Sequence, residues 1–562
     1  MLRATHLLRS DKLAAYISDH PVSLTVVICV AWTLLGLLGH DPWKPDEAHT
    51  FGVAYQMLQN GDWVVPMLAG EPFLEKSPLA YLVAAAFGWL LSPVLQLHDA
   101  ARLSAGAWMA ATFVFMALAA RELYGNDKGW LTALMLLGCG GLLLRAHQIN
   151  SDLALVSGLA VGLYALALFA RRPLAAGIWL GTGLGIVTCS TGLAEPLMLI
   201  AAMLILPLVS PHWRSRNYAI CAGVATLVWL PWALLWPYAL YHRAPELFQQ
   251  WFWIENMLRF RGMLSLDASD EHFYYLNILP WFAWPALPFA LWTLWSEGRA
   301  GLRAPGTVLP LVVFACFLAF LSFIGESRDA LGLPLLLPLA LLASARFEKL
   351  QRGAINAYYW FAIMLFTVFA LVGWVYWMAI DIGVPERLAS HMRDMQPGYE
   401  EHTPLPMVIG AIIFTIAWPL LLFNVKRSPV RPVVLWAAGN TVMWAIVSLL
   451  LVNYIDTGKS YRAMVTQLSG AIPQSHRCIY SQSVGDAQRA MLHYFGNVVT
   501  VRLEKSGPRP DCDLLITQDN WKNPGRAGGQ WEMIWEGRRP GDKQERYRLY
   551  RQFPEGMQSP AS

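Results

Sequence analysis

FLEKSPLAYLVAAAFGWLL, Phe73 to Leu91, joins a charged segment to an apolar run of thirteen residues, and the topology of the chain turns on whether that run crosses a membrane. The chain has 562 residues, 56% hydrophobic and 14% charged, with a mean hydropathy of +0.39. That is too apolar for a water-soluble core and reads as a polytopic α-helical membrane protein. Apolar segments suited to crossing a hydrocarbon layer of about 30 Å lie near 22–38, 101–121, 129–147, 153–170, 174–191, 195–210 and 218–240. Six more lie near 275–295, 307–324, 330–345, 358–380, 405–425 and 432–455, which gives about thirteen spans. If Leu79–Leu91 does not span, six connections fall on one side, carrying Arg121 and Lys128, Arg171–Arg172, Arg214 and Arg216, Arg299 and Arg303, Arg346 to Arg352, and Lys426 to Arg431. All six are basic, as cytoplasmic loops are, so Leu79–Leu91 is read as a juxtamembrane helix on the outer surface.

The outer side then receives the loop 39–100, the turn Gln148 to Asp152, the loop 241–274, the loop 381–404 and the tail. The chain divides into a membrane domain, 1–455, and a small soluble α/β domain, 456–562, with YRAMVTQLSGAI as a helix and WEMIWEG with RYRLYRQF as a hairpin. Cys478 and Cys512 lie in that tail and are able to pair in an oxidising compartment, whereas the other five cysteines sit in apolar segments as small core residues. The net charge of +4 is small, and nothing points to a nucleic-acid partner. The 26 tryptophans and 20 tyrosines suit many crossings of a lipid interface.

Charge collects in the outer loops. Asp46 and Glu47 open an amphipathic pattern, and Asp46 is either the N-cap of that helix or a site carboxylate. Glu75 and Lys76 precede the juxtamembrane run, and Asp152 stands at the mouth of two spans as either a helix cap or a functional carboxylate at the edge of the hydrocarbon. Arg259 and Arg261, between aromatic clusters, suit either phosphate oxygens or lipid headgroups. His272 is an ordinary interfacial histidine or, with Glu75, part of a divalent metal site. Carboxylates and cations beside apolar helices fit transfer of a sugar from a lipid-phosphate carrier. Cations stabilise the phosphate leaving group, and carboxylates face the developing sugar cation and its polar groups.

On PDEAHTF, NGDWVVPMLAG and FLEKSP the sequence resembles the aminoarabinose lipid A transferases, GT-C superfamily enzymes related to protein O-mannosyltransferases. The resemblance continues through Arg102, Asp152, WFWIENMLRF and SRDALGLPLLLPLALLA. It implies a GT-C fold and an inverting glycosyltransferase that moves aminoarabinose or a related amino sugar from undecaprenyl phosphate. The acceptor would be lipid A or another periplasmic glycan or protein. It implies catalytic roles for Asp46, Asp152 and Glu47, and substrate binding by Lys76, Arg259, Arg261, His49 and Arg328. A divalent ion, Zn or Mg/Mn, would sit on Glu75 and His272. The enzyme would be a monomer in the bacterial inner membrane, its site and tail periplasmic, surrounded by membrane lipids. The family's Arg-Tyr after PDE is His49-Thr50 here, its TKG is CSTG with Thr191, its Glu-His is Glu255-Asn256, and its SKLPTY is SRDALG. The reading from another class is a transporter or flippase of a lipid-linked sugar, which would line several spans with charge; Glu195 is the clearest such residue.

Overall fold

The computed structural model describes residues 11–258, 273–323, 327–400, 402–504, 511–520, 531–542 and 544–552. Helical structure occupies every apolar segment named above. Among the described residues, eight helices are long and apolar enough to cross a membrane: Leu97–Tyr124, Ser151–Leu168, Pro173–Thr191, Arg216–Arg243, Pro305–Phe323, Arg352–Ile382, Leu405–Asn424 and Arg431–Ala471. Pro21–Leu34, Leu79–Leu91, Pro196–Val209 and Asp329–Ala345 are shorter apolar helices. The chain is therefore a multi-pass membrane protein.

Two expected spans are broken. The 275–295 segment is a pair, Tyr274–Phe282 and Ala286–Arg299, bent by 98° at a break that contains Pro285, which has no N–H to carry a helix onward. The 129–147 segment divides into Gly129–Leu137 and Gly140–Arg145. At the division Trp436 lies against Gly138, where a Cβ would come within 2.7 Å of its ring. The Trp436 indole N–H donates to the Gly138 carbonyl at 3.0 Å, and Gly140 N–H donates to the Trp284 carbonyl at 3.2 Å. The backbone groups freed by the break are thus satisfied inside the bundle. The break also turns Gly140–Arg145 so that Arg145 reaches the site.

The tail forms a five-stranded sheet. The strands are β1 (Ile479–Gln482), β2 (Thr500–Arg502), β3 (Leu514–Asn520), β4 (Trp531–Gly537) and β5 (Glu545–Gln552), in the order β2-β1-β3-β5-β4. The first three are parallel, with the helix Asp486–Gly496 crossing between β1 and β2, and β4–β5 is the antiparallel hairpin expected from the sequence. Cys478 and Cys512 form a disulfide across the base of β1 and β3. This domain shares one apolar core with the Asp46–Asn60 and Leu79–Leu91 helices. Gly52 is required there, because a Cβ would lie 2.5 Å from that of Ala490. Arg489, fully buried, donates to Glu71 at 3.1 Å and to the Thr500 carbonyl at 2.9 Å, and Lys44 pairs with Asp542 and Glu545 at 3.0 and 2.9 Å.

Arg102 holds the base of the outer loop. It is buried with 0% exposure and donates to Glu47 Oε1 at 2.6 Å, Asp99 Oδ1 at 2.7 Å, the His40 carbonyl at 2.9 Å and the Leu37 carbonyl at 3.2 Å. Glu47 also accepts the backbone N–H groups of Trp43 at 3.0 Å and Ile149 at 3.3 Å. Burial pushes the Glu47 carboxyl up, and the charge and hydrogen bond of Arg102 outweigh it, so it titrates below its ordinary 4.5. Glu47→Ala leaves the buried guanidinium with Asp99 as its remaining carboxylate and the Trp43 and Ile149 N–H groups unmet, and should lower stability by about 3–5 kcal/mol, read as thermal unfolding in detergent. Because the native pKa is lowered, the unfolded chain binds the Glu47 proton more readily. The contribution of this group is complete above pH 4.5 and is lost as pH falls through the native value. Unfolding followed downward from neutral pH should show that loss in the wild type and not in the double variant Glu47→Gln/Arg102→Met.

Candidate active site

The Asp46–Asn60 helix begins beside the site with Pro45 at its N-cap and no side-chain cap bond. Asp46 is therefore free of the capping role open to it in the sequence. Its carboxylate accepts from Arg145 Nη1 at 2.8 Å and lies 3.7 Å from Arg328. Arg145 reaches with its other nitrogen to Asp329 at 2.8 Å, so one guanidinium joins the Asp46 loop to the Asp329–Leu335 helix. Arg145 was not singled out from the sequence. It sits in RAHQINSD, seven residues before Asp152, and a cation that close to a candidate carboxylate at a span mouth was the available signal.

The Ser151–Leu168 helix is capped by Asn150, whose side chain accepts from Leu153 N–H at 3.0 Å. Asp152 is released from capping in the same way as Asp46. Lys76 donates to Asp152 Oδ1 at 3.0 Å and to Ser151 Oγ at 2.7 Å, with both partners of the ion pair about nine-tenths buried. Burial pulls the Lys76 ammonium down, and the Asp152 charge and hydrogen bond outweigh it, so Lys76 stays charged above its ordinary range. Arg145 and Arg328 act electrostatically on Asp152 as well. The two clusters therefore form one field of interleaved charge at one end of the apolar helices.

Glu75 is exposed next to Lys76. His49 lies one turn on from Asp46, with its ring 5.8 Å from that of Phe73, and feels the charges of Glu75, Asp46 and Lys76. Burial lowers its pKa from 6.5 against the opposing pull of Glu75 and Asp46, so the imidazole is neutral at pH 7. Glu47 departs from the expected catalytic placement. Its carboxylate is sealed on Arg102 and two backbone N–H groups, and it faces the packed base of the loop. Arg259, Arg261 and His272 lie outside the described residues. Among the described residues no three His, Cys, Asp or Glu side chains are grouped to hold a metal ion.

No family model matches the chain. An undecaprenyl phosphate-alpha-4-amino-4-deoxy-L-arabinose arabinosyl transferase of Pseudomonas fluorescens is 26% identical over 508 residues, 87% of this chain and 84% of its own length. One from Pseudomonas aeruginosa is 28% identical over 456 residues, 76% of this chain and 75% of its own. The crystal structure of ArnT from Cupriavidus metallidurans in the apo state gives a TM-score of 0.66 at 16% identity, over 95% of this chain and 98% of that one. The same protein bound to undecaprenyl phosphate gives 0.65, again at 16% identity and over the same shares of the two chains. The chain has a GT-C membrane fold similar to that of ArnT.

Within this GT-C fold the departures from the family pattern have structural consequences. Asn256, where the pattern has histidine, accepts from Leu193 N–H at 2.9 Å and donates to the Trp251 carbonyl at 2.9 Å, closing the turn after Thr191. Gly192 has φ of 129° there, and a Cβ would lie 2.9 Å from the Asn256 oxygen, so the turn and the loop fit only as a pair. Thr191, where the pattern has lysine, donates to the Val187 carbonyl and brings no charge to the site. Arg328 stands in SRDALG beside Asp46, and its carbonyl accepts from Tyr275 Oη at 3.4 Å. Lys76→Met or Asp152→Asn alone should each destabilise the protein by about 3–5 kcal/mol, because each leaves the other charge buried. The double variant Lys76→Met/Asp152→Asn should recover most of that loss in a double-mutant cycle of thermal unfolding.

Proposed function

We propose that the chain is an inverting glycosyltransferase that moves aminoarabinose, or a related amino sugar, from undecaprenyl phosphate to lipid A or another acceptor on the outer face of the bacterial inner membrane. The observation that carries the reading is the buried Lys76–Asp152 pair beside Arg145, Arg328 and Asp46 at the end of an apolar bundle. The relatives named for undecaprenyl phosphate and aminoarabinose support the donor. An ammonium has three donors, and Ser151 and Asp152 take two, so Lys76 offers its third N–H to a phosphate oxygen without breaking its pair. Arg328, and in the proposal Arg259 and Arg261, supply further donors as negative charge builds on the leaving phosphate.

Asp46 faces the opposite demand. Its carboxylate, oriented by Arg145, lies where it stabilises positive charge developing on the sugar. A lipid A phosphate is already an anion and needs no base, so direct displacement with inversion suffices. A hydroxyl acceptor would lose its proton to Asp46. Glu75 and His49 line the same side and suit the polar groups of the sugar, while Glu47 positions Asp46 through the helix they share. The outward orientation is supported by the Cys478–Cys512 disulfide in a domain packed on the site loop, since disulfides persist in oxidising compartments.

Membranes carrying the protein should release free polyprenyl phosphate from a labelled polyprenyl-phosphate amino sugar, and Asp46→Asn and Lys76→Ala should each reduce release by about 10²-fold or more. Release that survives both changes removes the site assignment, and vesicle transport without release favours the transporter. Mass spectrometry of lipid A from cells with and without the protein should show an added amino pentose; an unchanged profile moves the acceptor to another glycan or a protein. A divalent ion on Glu75 is the remaining part of the proposal, and transfer that is unaffected by EDTA would remove it.

A further inference from the structure

A charged cavity lies at the other end of the membrane domain from the site. The helical run from Arg431 to Lys459 is roughly 40 Å long, and its last residue places its ammonium 4.7 Å over the Trp43 ring, beside the site loop. At its first residue opens a cavity of about 1180 Å³, lined by Tyr359, Trp360, Leu422, Lys426, Arg427 and Arg431 among others. Its walls come from the Asp11–Asp19, Arg352–Trp377 and Leu405–Asn424 helices and the connection that follows them. It is larger than the roughly 300–1,000 Å³ of a typical small-molecule site.

The cavity has a polar end and an apolar end. Lys426 and Arg427 are exposed, and among the described residues no carboxylate lies within ion-pair distance of either, or of Arg431. Arg431 is held over the Tyr359 ring at 4.6 Å and donates to the Leu422 carbonyl. Its Nε is buried and makes no hydrogen bond. Three cations without a counter-charge, one of them with an unmet buried donor, define a place for an anion. Trp360 and Phe423, which also line the cavity, are 59% and 41% exposed and give it an apolar surface.

We propose that this cavity binds an anionic glycerophospholipid, with its phosphate on Lys426, Arg427 and Arg431 and its acyl chains along Trp360, Leu422 and Phe423. A free phosphate would use the cations and leave the apolar wall unused. A zwitterionic lipid would use the wall and bring its own cation against Arg427. Both halves are matched only by a lipid of net negative charge. The site is separate from the sugar-transfer reading and stands or falls without it.

Native mass spectrometry of the full chain in detergent with equal phosphatidylglycerol and phosphatidylethanolamine provides the test. The wild type should retain about fivefold or more of the anionic lipid, and Lys426→Ala/Arg427→Ala should bring the two close to parity. Arg171→Ala/Arg172→Ala, which removes two exposed charges of another connection, should keep the preference. Equal retention in the wild type, a preference that survives the 426/427 double variant, or one lost equally in the 171/172 variant would each overturn the proposal. Displacement of the lipid by inorganic phosphate alone would also overturn it, in favour of a soluble anion. Should the double variant unfold, Lys426→Gln replaces it and should roughly halve the preference.

Discussion

The site depends on a buried ion pair that takes no part in the proposed chemistry. Arg102 and Glu47 are both removed from solvent, which is costly unless every donor and lone pair is used. Here nearly all are: Arg102 spends its fork on Glu47, Asp99 and two carbonyls, and Glu47 takes two further backbone N–H groups. Those contacts join residues near 37–47, 99–102 and 149. The pair therefore determines where the Asp46 helix starts relative to the Ser151–Leu168 helix. Asp46 and Asp152 come from segments about a hundred residues apart, and this junction brings their surroundings into one place.

Interleaving of sign is the second constraint. Lys76 lies on Asp152, Arg145 bridges Asp46 and Asp329, and Arg328 approaches Asp46. A cluster of carboxylates alone would raise its own pKa values and protonate, and a cluster of cations would repel itself. Alternation offsets like-charge repulsion in a half-buried setting. It also leaves Lys76 a third N–H for an incoming phosphate in the proposed reaction. The C-terminal domain closes the outside of the same loop, with Arg489 on Glu71 and Lys44 on Asp542 and Glu545, so the loop is held from beneath and above.

The membrane architecture was legible because apolar length and loop charge are one-dimensional signals, and the helices lie on the segments they marked. Asp46, Lys76 and Asp152 stood out in the sequence because carboxylates and lysines at span mouths are costly enough to need a reason, and the structure gives each an oppositely charged partner. The pairing of Glu47 with Arg102 was not legible, since adjacency to Asp46 does not show that the next helix position points the other way. Arg145 was missed because its placement depends on the helix break at Gly138, which Trp436 produces from 298 residues away in sequence. The bend at Pro285 and the pairing of Gly192 with Asn256 are of the same kind: each is a contact between distant segments, and pattern along the chain carries no record of it.

The two ends of the bundle treat charge in opposite ways. At the site end Lys76, Arg145 and Arg328 each have a carboxylate close by, so in the proposed reaction a phosphate would meet cations whose charge is already offset. At the other end Lys426, Arg427 and Arg431 have none, and Arg431 is held instead by an aromatic face and a carbonyl. A balanced site suits a ligand that must arrive, react and leave, because release then restores a neutral field. An unbalanced one suits a resident anion, because its departure leaves net positive charge at the edge of the hydrocarbon. On the two proposals the same residue types would serve turnover at one surface and anchoring at the other, and the presence or absence of neighbouring carboxylates is what separates them.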